Sequence, residues 1–243
     1  MSNLTDVIAA DSAAVFARLR VQSPRVQCLT NTVAQQITAN VLLAAGARVS
    51  MATHPDEVIA MTASADAVLF NLGTIDAARI DGIPRLLADA RVRKLPRVLD
   101  PVFVEHSPLR MALAGQVIAA GPLIVKGNAR ELKVLSLPPH ATRVETGATD
   151  RIGTGSATIV ISNGHRWMAQ VTGLGCALGG LIAACAAVEP DPGKAATAAV
   201  LAFGVAGDVA AVHANGPGSF AVAFIDAIGD LDGLLLQAHT RIT

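Results

Sequence analysis

The chain has no tyrosine and one tryptophan, and aromatic residues make up 3% of its 243 positions. That scarcity excludes the aromatic belts expected of a membrane protein. Three cysteines, Cys28, Cys176 and Cys185, are too few and too scattered for a disulfide framework or a thiolate metal site, and such usage suits a reducing cytosol. Nor is there excess charge of either sign: 19 basic and 19 acidic side chains cancel, and charged residues are only 16%. A nucleic-acid footprint and a disordered tail are both excluded on that balance. The opening MSNLTDVIAADSAAVF lacks a basic stretch followed by an apolar core and does not read as a secretory signal. Residues 167–188 carry no charge, but Gln170, Thr172, Gly173, Gly175, Gly179 and Gly180 interrupt them. The compact apolar run left at 177–188 suits a buried helix, not a bilayer span. A cytoplasmic protein that binds neither membrane nor nucleic acid is therefore expected.

What the chain has in abundance is apolar surface, 52% of its residues, arranged as short β-like runs alternating with longer Ala/Leu-rich stretches. Strands are predicted at 25–29, 67–72, 97–100 and 123–125, and helices at 33–45, 55–64, 76–91 and 108–119. Short runs at 48–50 and 142–146 read as further strands. Repeated βα units with near-continuous apolar strands imply a parallel sheet covered on both faces. In open α/β sheets ligands bind beyond the carboxyl ends of the strands. The candidate positions are then Thr30 and Asn31, Gly73 and Thr74, Asp100 and Pro101, and Lys126 to Asn128. Further along, 157–162 and 166–172 flank Asn163-Gly164, a two-residue hairpin signal that predicts an antiparallel edge. Helices follow near 175–188, 194–215 and 218–237, with a break at Glu-Pro-Asp-Pro-Gly, residues 189–193. With no internal repeat or low-complexity linker, residues 1–243 read as one domain.

Three constellations carry the chemistry. In VTGLGCALGG, residues 171–180, a strand is expected to run into a Gly-rich turn that opens a helix, gathering unpaired amides and the positive end of the helix dipole into an anion hole. Cys176 falls in the first turn, where a thiol pKa is lowered; the plainer alternative is a small buried hydrophobe. The same glycines resemble a dinucleotide fingerprint, but no acidic residue ends a following strand about 20 residues on, which opposes an oxidoreductase. In KGNAREL, residues 126–132, a cation, an amide and a carboxylate arrive together after a strand. They meet the needs of a phosphate and its Mg²⁺, although Asn128 and Glu131 equally match a capping box. Asp100 brings a second carboxylate to that edge. In residues 28–58, Asn31 and Met51 each follow a strand, and an amide beside a thioether could form a small, partly apolar pocket for a flat heterocycle.

Seven blocks, CLTNTVAQQITANVLLAAGA, SMATHPDEV, LFNLGTID, VLDPV, KGNARE, NGHRWMAQVTGLGC and GPGSFAVAFIDAI, resemble in order and over nearly the whole chain the hydroxyethylthiazole kinase family of the ribokinase-like superfamily. The resemblance implies an α/β, ribokinase-like three-layer sandwich: a mostly parallel central sheet with an antiparallel hairpin edge and helices on both faces. It implies phosphoryl transfer from ATP, with Mg²⁺, to the primary hydroxyl of 4-methyl-5-(2-hydroxyethyl)thiazole, in a homotrimer whose sites lie between subunits. By the same resemblance Asn31, Met51 and Gly173 contact the alcohol, Lys126 and Thr146 contact ATP, and Asp100 and Glu131 hold the Mg²⁺ shell. The amides of Gly173, Gly175 and Cys176 then face the transferring phosphoryl group, and Cys176 stands where related sugar kinases place an aspartate base. Several positions depart from the family pattern. Phe103, Val104, Glu105 and His106 replace small residues, Lys126 replaces an arginine, Leu174 replaces a threonine, and only 14 residues separate Glu131 from Thr146. The last departure predicts a missing crossover helix and an exposed adenosine end; a paralogue with an altered alcohol substrate, or a non-catalytic trimer that binds thiazole or thiamine-like ligands, is the alternative these changes raise.

Overall fold

The computed structural model describes residues 4–121, 124–154 and 157–242. Its strands are β1 (Arg25–Leu29), β2 (Arg48–Ser50), β3 (Ala67–Asn71), β4 (Arg97–Asp100), β5 (Ile124–Asn128), β6 (Thr142–Thr146), β7 (Asp150–Thr154) and β8 (Ala157–Ile161). They form one sheet in the order β2-β1-β3-β4-β5-β6-β7-β8. Pairing is parallel from β2 through β6 and antiparallel at β6–β7 and β7–β8. Side chains alternate across the central strands with period two. Val26, Cys28, Ala67, Leu69, Val98 and Ile124 join the core on one face, whereas Leu29, Val68, Phe70, Leu99 and Val125 join the core on the other.

Helices cover both faces. The first face packs against α1 (Leu4–Gln22), α2 (Gln35–Ala45), α7 (Leu174–Val188), α8 (Pro192–His213), α9 (Pro217–Asp230) and α10 (Gly233–His239); the second packs against α3 (Pro55–Thr62), α4 (Ala77–Val92), α5 (Pro108–Ala119) and the single turn α6 (Ala129–Lys133). This is the three-layer α/β arrangement expected. Among the described residues α8 alone is long and apolar enough to cross a bilayer, and it is mostly buried inside the fold.

Two expectations need correction. Residues 166–172 are not a strand: Arg166–Gln170 is a 3₁₀ helix, and β8 pairs instead with β7. Asn163 is drawn into a tertiary corner, its amide donating to Asp208 Oδ2 (2.7 Å) and to the His239 carbonyl (2.6 Å) while its Oδ1 accepts from the Arg241 amide (2.8 Å). Those bonds, with Asn163 pressed against Gly204 of α8, override the hairpin preference of an Asn-Gly pair. The helix expected at 218–237 is two helices, broken at Leu231 and Asp232, where Asp232 caps α10 through the Leu235 amide (2.8 Å). The crossover from β5 to β6 contains only α6, as the short spacing predicts. Leu123, the expected start of a strand, lies outside the described residues, and β5 extends beyond the expected end at Val125 to Asn128.

Candidate active site

Because β1 and β3 to β6 are parallel, their carboxyl ends share one edge. The period-two alternation that turns Leu69, Val98 and Ile124 toward α7 also turns Asn71, Asp100 and Lys126 that way. These side chains form a continuous buried network. Asn71 donates from Nδ2 to Asp100 Oδ2 (2.7 Å), and Lys126 Nζ donates to the same oxygen (2.9 Å) and to the Gly175 carbonyl (2.9 Å). On the other side Asn31 donates from Nδ2 to Asn71 Oδ1 (3.1 Å) and to Cys176 Sγ (3.0 Å). Asn31 Oδ1 is buried without a partner in the protein and is an acceptor in reserve at this edge.

Helix α7 starts on this network. Gly173, its N-cap, adopts φ +89°, and a Cβ there would lie 2.7 Å from Ile37 Cγ2 and 3.0 Å from Ala34, so the chain passes against the segment after β1 where no side chain fits. At a helix start the first amides lack intrahelical acceptors. The Gly175 and Cys176 amides therefore face the strand edge at the positive end of the dipole. The helix start expected in VTGLGC is present, although a 3₁₀ turn and not a strand leads into it.

Electrostatics correct the expectation for Cys176. Burial, and next the Asp100 charge, raise its thiol pKa; Lys126 and the Asn71 and Asn31 amides oppose this only in part. The helix start does not make it a thiolate. Burial likewise raises the Asp100 carboxyl, against the pull of Lys126, with the Glu131 charge adding to the rise. Burial is the largest single influence on the Lys126 ammonium and disfavours it, but Asp100, Cys176 and Glu131 together outweigh burial and raise its pKa, so the cation persists.

Glu131 is the N3 member of a capping box: Oε2 accepts from the Asn128 amide (2.8 Å), and Asn128 Oδ1 accepts from the Arg130 and Glu131 amides (2.9 and 3.0 Å). Its Oε1 reaches across to the Phe103 amide (2.9 Å), fixing the loop after β4. Phe103 itself, at φ +56°, is 59% exposed and does not plug the edge. Thr146 ends β6 and, with Gly147, Asp150, Gly175, Leu178 and Phe203, lines a cavity of about 550 Å³ beside Lys126. The face left open by the short crossover is thus walled in part by α8 through Phe203. Met51 lies apart from the network, half-buried just past edge strand β2. Gln27 holds that segment by accepting from Ser50 Oγ (2.6 Å) and donating to the Ala52 carbonyl (2.7 Å).

Asn71 is not among the positions expected from the sequence, although an amide ending a fully buried strand at the ligand edge must find polar partners. Two arginines that brace the loops are likewise new. Arg79 donates to the Thr30 carbonyl (2.9 Å), and Arg110 donates to the Val102 and Gly73 carbonyls (2.7 and 2.5 Å).

A mostly parallel sheet with an antiparallel hairpin edge, helices on both faces and a helix start over its carboxyl edge is a ribokinase-like fold. A ribokinase-like superfamily protein from Enterococcus faecalis superposes with a TM-score of 0.65 at 16% identity, over 94% of this chain and 97% of its own. The family model for hydroxyethylthiazole kinases matches residues 16–143 and 138–233, and the chain belongs to that family. A probable hydroxyethylthiazole kinase from Agrobacterium fabrum is 42% identical over 96% of this chain and 95% of its own length. The structure of a hydroxyethylthiazole kinase protein from Pyrococcus horikoshii superposes with a TM-score of 0.91 at 31% identity, covering 96% of this chain and 98% of that one. With coverage so nearly complete, the short segment after Glu131 removes little of the family's scaffold.

Proposed function

We propose that the chain transfers the γ-phosphoryl group of ATP to the primary hydroxyl of 4-methyl-5-(2-hydroxyethyl)thiazole. The observation that carries this reading is the buried chain Asn31–Asn71–Asp100–Lys126, closed by Cys176 and Gly175 at the start of α7. It joins the end of β1, where the alcohol would lie against Asn31, Met51 and Gly173, to the cavity beside Thr146, where the triphosphate would approach Lys126. The alcohol oxygen bonds to the γ-phosphorus as the bond to the β,γ-bridging oxygen breaks; ADP leaves with that electron pair, and the hydroxyl proton passes to an oxygen of the transferred phosphoryl group. Phosphoryl transfer through a loose transition state rests on positioning and charge stabilisation. Cys176, held as a thiol, therefore orients the hydroxyl together with Asn31, and the amides of Gly173, Gly175 and Cys176 receive the charge of the transferring group.

Asp100 and Glu131 are the residues that would hold Mg²⁺. Both Glu131 oxygens already accept an amide, and Asp100 Oδ2 accepts from Lys126 and Asn71, so the remaining lone pairs suit a largely hydrated ion that also binds phosphate oxygens. Bound there, the ion supplies charge neutralisation for the β- and γ-phosphates.

The remaining proposals follow from the family resemblance. The protein acts as one cytoplasmic domain, consistent with the single sheet and three free cysteines, and assembles as a homotrimer, with Met51 at the sheet edge where a second subunit would complete the alcohol pocket. Mass spectrometry after incubation with Mg-ATP and a panel of thiazole and pyrimidine alcohols tests the activity. Phosphorylated hydroxyethylthiazole is the expected product, and folded protein that phosphorylates no alcohol would overturn the reading. Light scattering checks the trimer.

A further inference from the structure

The opposite edge of the sheet, at the amino ends of β4 and β5, holds a second cavity of about 630 Å³. Arg97 lies in its wall, 6% exposed, with Nη2 donating to the Ala120 carbonyl (3.2 Å). Arg91, Lys94 and His140 line the same space, and burial followed by the Arg91 charge lowers the Arg97 pKa, so the two guanidinium groups act on each other. The one lining carboxylate among the described residues, Glu189, is already engaged by the Arg18 guanidinium and the Asp191 amide (3.0 Å). Among the described residues neither Arg91 nor Lys94 has an ion-pair partner. Leu95, Pro96, Ala186 and Pro190 supply an apolar wall.

Lys94 stands just past the end of α4 at φ +56°, a left-handed position where glycine fits at lower cost. Favouring the negative end of that helix would require a cation nearby but not a lysine in this conformation. Guanidinium forks and an ammonium gathered around a partly apolar cavity match a phosphate carried on a compact body.

We propose that this cavity is an effector site for a small molecule with a phosphate group on a compact apolar body, the phosphate held by Arg91, Lys94 and Arg97. Its connection to the other edge is direct. β4 runs from Arg97 to Asp100, β5 from Ile124 toward Lys126, and α7 from Gly175 and Cys176 to Ala186. Three of the elements that build the candidate active site, β4, β5 and α7, send their other ends to this cavity, with only about 10 Å of β4 between Arg97 and Asp100. The effector role rests on the phosphotransfer reading; the binding does not.

Calorimetry of the nucleotide-free protein with phenyl phosphate, inorganic phosphate and benzoate tests the site. Phenyl phosphate is expected to bind tightest, and Arg91→Ala with Lys94→Gly to weaken it about tenfold or more, while Lys94→Gly alone raises Tm by removing the left-handed lysine. Unchanged binding in the double variant, absence of binding, or benzoate binding as tightly would each refute the phosphate site. In turnover assays with saturating ATP and alcohol, phenyl phosphate should change kcat of the native protein and leave the double variant unaffected. Binding at Arg91 and Lys94 with no such change would refute the effector role, whereas an enzyme without turnover but with intact binding would fault the phosphotransfer reading instead.

Discussion

Lys126 Nζ lies 2.9 Å from Asp100 Oδ2 and equally close to the Gly175 carbonyl, so one buried ammonium ties β4 and β5 to the first turn of α7. Both side chains are almost fully out of water, at 6% and 1% exposure. Removing one partner of such a pair leaves an uncompensated buried charge. Lys126→Met is expected to destabilise the protein by about 3–5 kcal/mol and to abolish phosphotransfer. Adding Asp100→Asn should restore most of the stability and none of the activity. Urea unfolding of the single and double variants measures both, and a Lys126→Met protein as stable as the native one would show that water reaches Asp100.

For Cys176, its raised pKa fixes the expected pH behaviour. Burial and the Asp100 charge keep the sulfur protonated through neutral pH, so kcat should show no limb from thiol ionisation between pH 7 and the ordinary cysteine value of 9.0. Cys176→Ala should lower kcat by less than about tenfold, short of the roughly 10²- to 10⁴-fold contribution of a general base. A larger loss, together with rescue by Cys176→Asp, would return the residue to the role of proton acceptor.

The parallel sheet and the candidate positions at its carboxyl edge were legible because each strand is a short apolar run ending in a polar residue. Asp100 and Lys126 were found that way. Asn71 was passed over because LFNLGT reads as an apolar strand with a turn after it, and only the parity with Leu69 shows that the amide faces α7. The helix Leu4–Gln22 was likewise missed, although Ile8, Ser12, Val15, Phe16 and Leu19 follow a helical spacing and are all buried. The Asn163-Gly164 hairpin failed for a different reason. A local turn preference was outweighed by bonds to Asp208, His239 and Arg241, residues distant in sequence and invisible to local reading. Cys176 was placed correctly but its ionisation was not, since a helix start lowers a thiol pKa only where burial and a neighbouring carboxylate do not act against it.

Asp150 gives the nucleotide side a pH dependence. Burial raises its carboxyl from 3.8 to about 6, against the Gly147 amide, which donates to Oδ1 at 3.0 Å, and the Lys126 charge. A carboxyl whose folded value is raised is favoured neutral, so its contribution to stability is present below pH 3.8 and is lost as pH rises through about 6. At pH 8 it is a carboxylate lining the cavity where the triphosphate would bind. Asp150→Asn keeps the acceptor for Gly147 and removes the charge. It should raise stability at pH 8 and lower KM for ATP several-fold there; the KM difference vanishes toward pH 5, where the folded carboxyl is neutral, and the stability difference only below pH 3.8. An unchanged KM at pH 8 would place the phosphates away from the corner between β6 and β7.

Gly173→Ala tests the start of α7. The left-handed φ disfavours any side chain by about 1–2 kcal/mol, and the added Cβ would meet Ile37 at 2.7 Å. The first turn must then shift away from the segment after β1. Expected outcomes are a lower Tm and a raised KM for the alcohol, with a smaller rise in KM for ATP because Thr146 lies on β6, away from the turn, while Lys126 bonds the Gly175 carbonyl within it. Equal rises in both KM values would indicate that the whole helix moves and not its first turn.

Asn71 is the residue through which the two halves of the site are coupled. Its Oδ1 accepts from Asn31 Nδ2 and from the Gly73 amide, both at 3.1 Å, while its Nδ2 donates to Asp100 at 2.7 Å. It is fully buried and would touch neither reactant, so its effect must pass through the orientation of Asn31 and Asp100. Asn71→Ala leaves the Asn31 amide and Asp100 each short of a partner, and a loss of about 1–3 kcal/mol of stability follows from the unsatisfied groups. Residues that orient ligating carboxylates typically change metal affinity or activity by about 10–100-fold. The Mg²⁺ concentration for half-maximal activity should therefore rise, and kcat should fall by a similar factor, while KM for ATP changes little. Asn71→Asp should be worse, because a second carboxylate against Asp100 favours a shared proton over two charges. If Asn71→Ala lost stability but kept the native Mg²⁺ dependence and kcat, the amide would be a packing group, and the coupling would have to run through Lys126 and Gly175 alone.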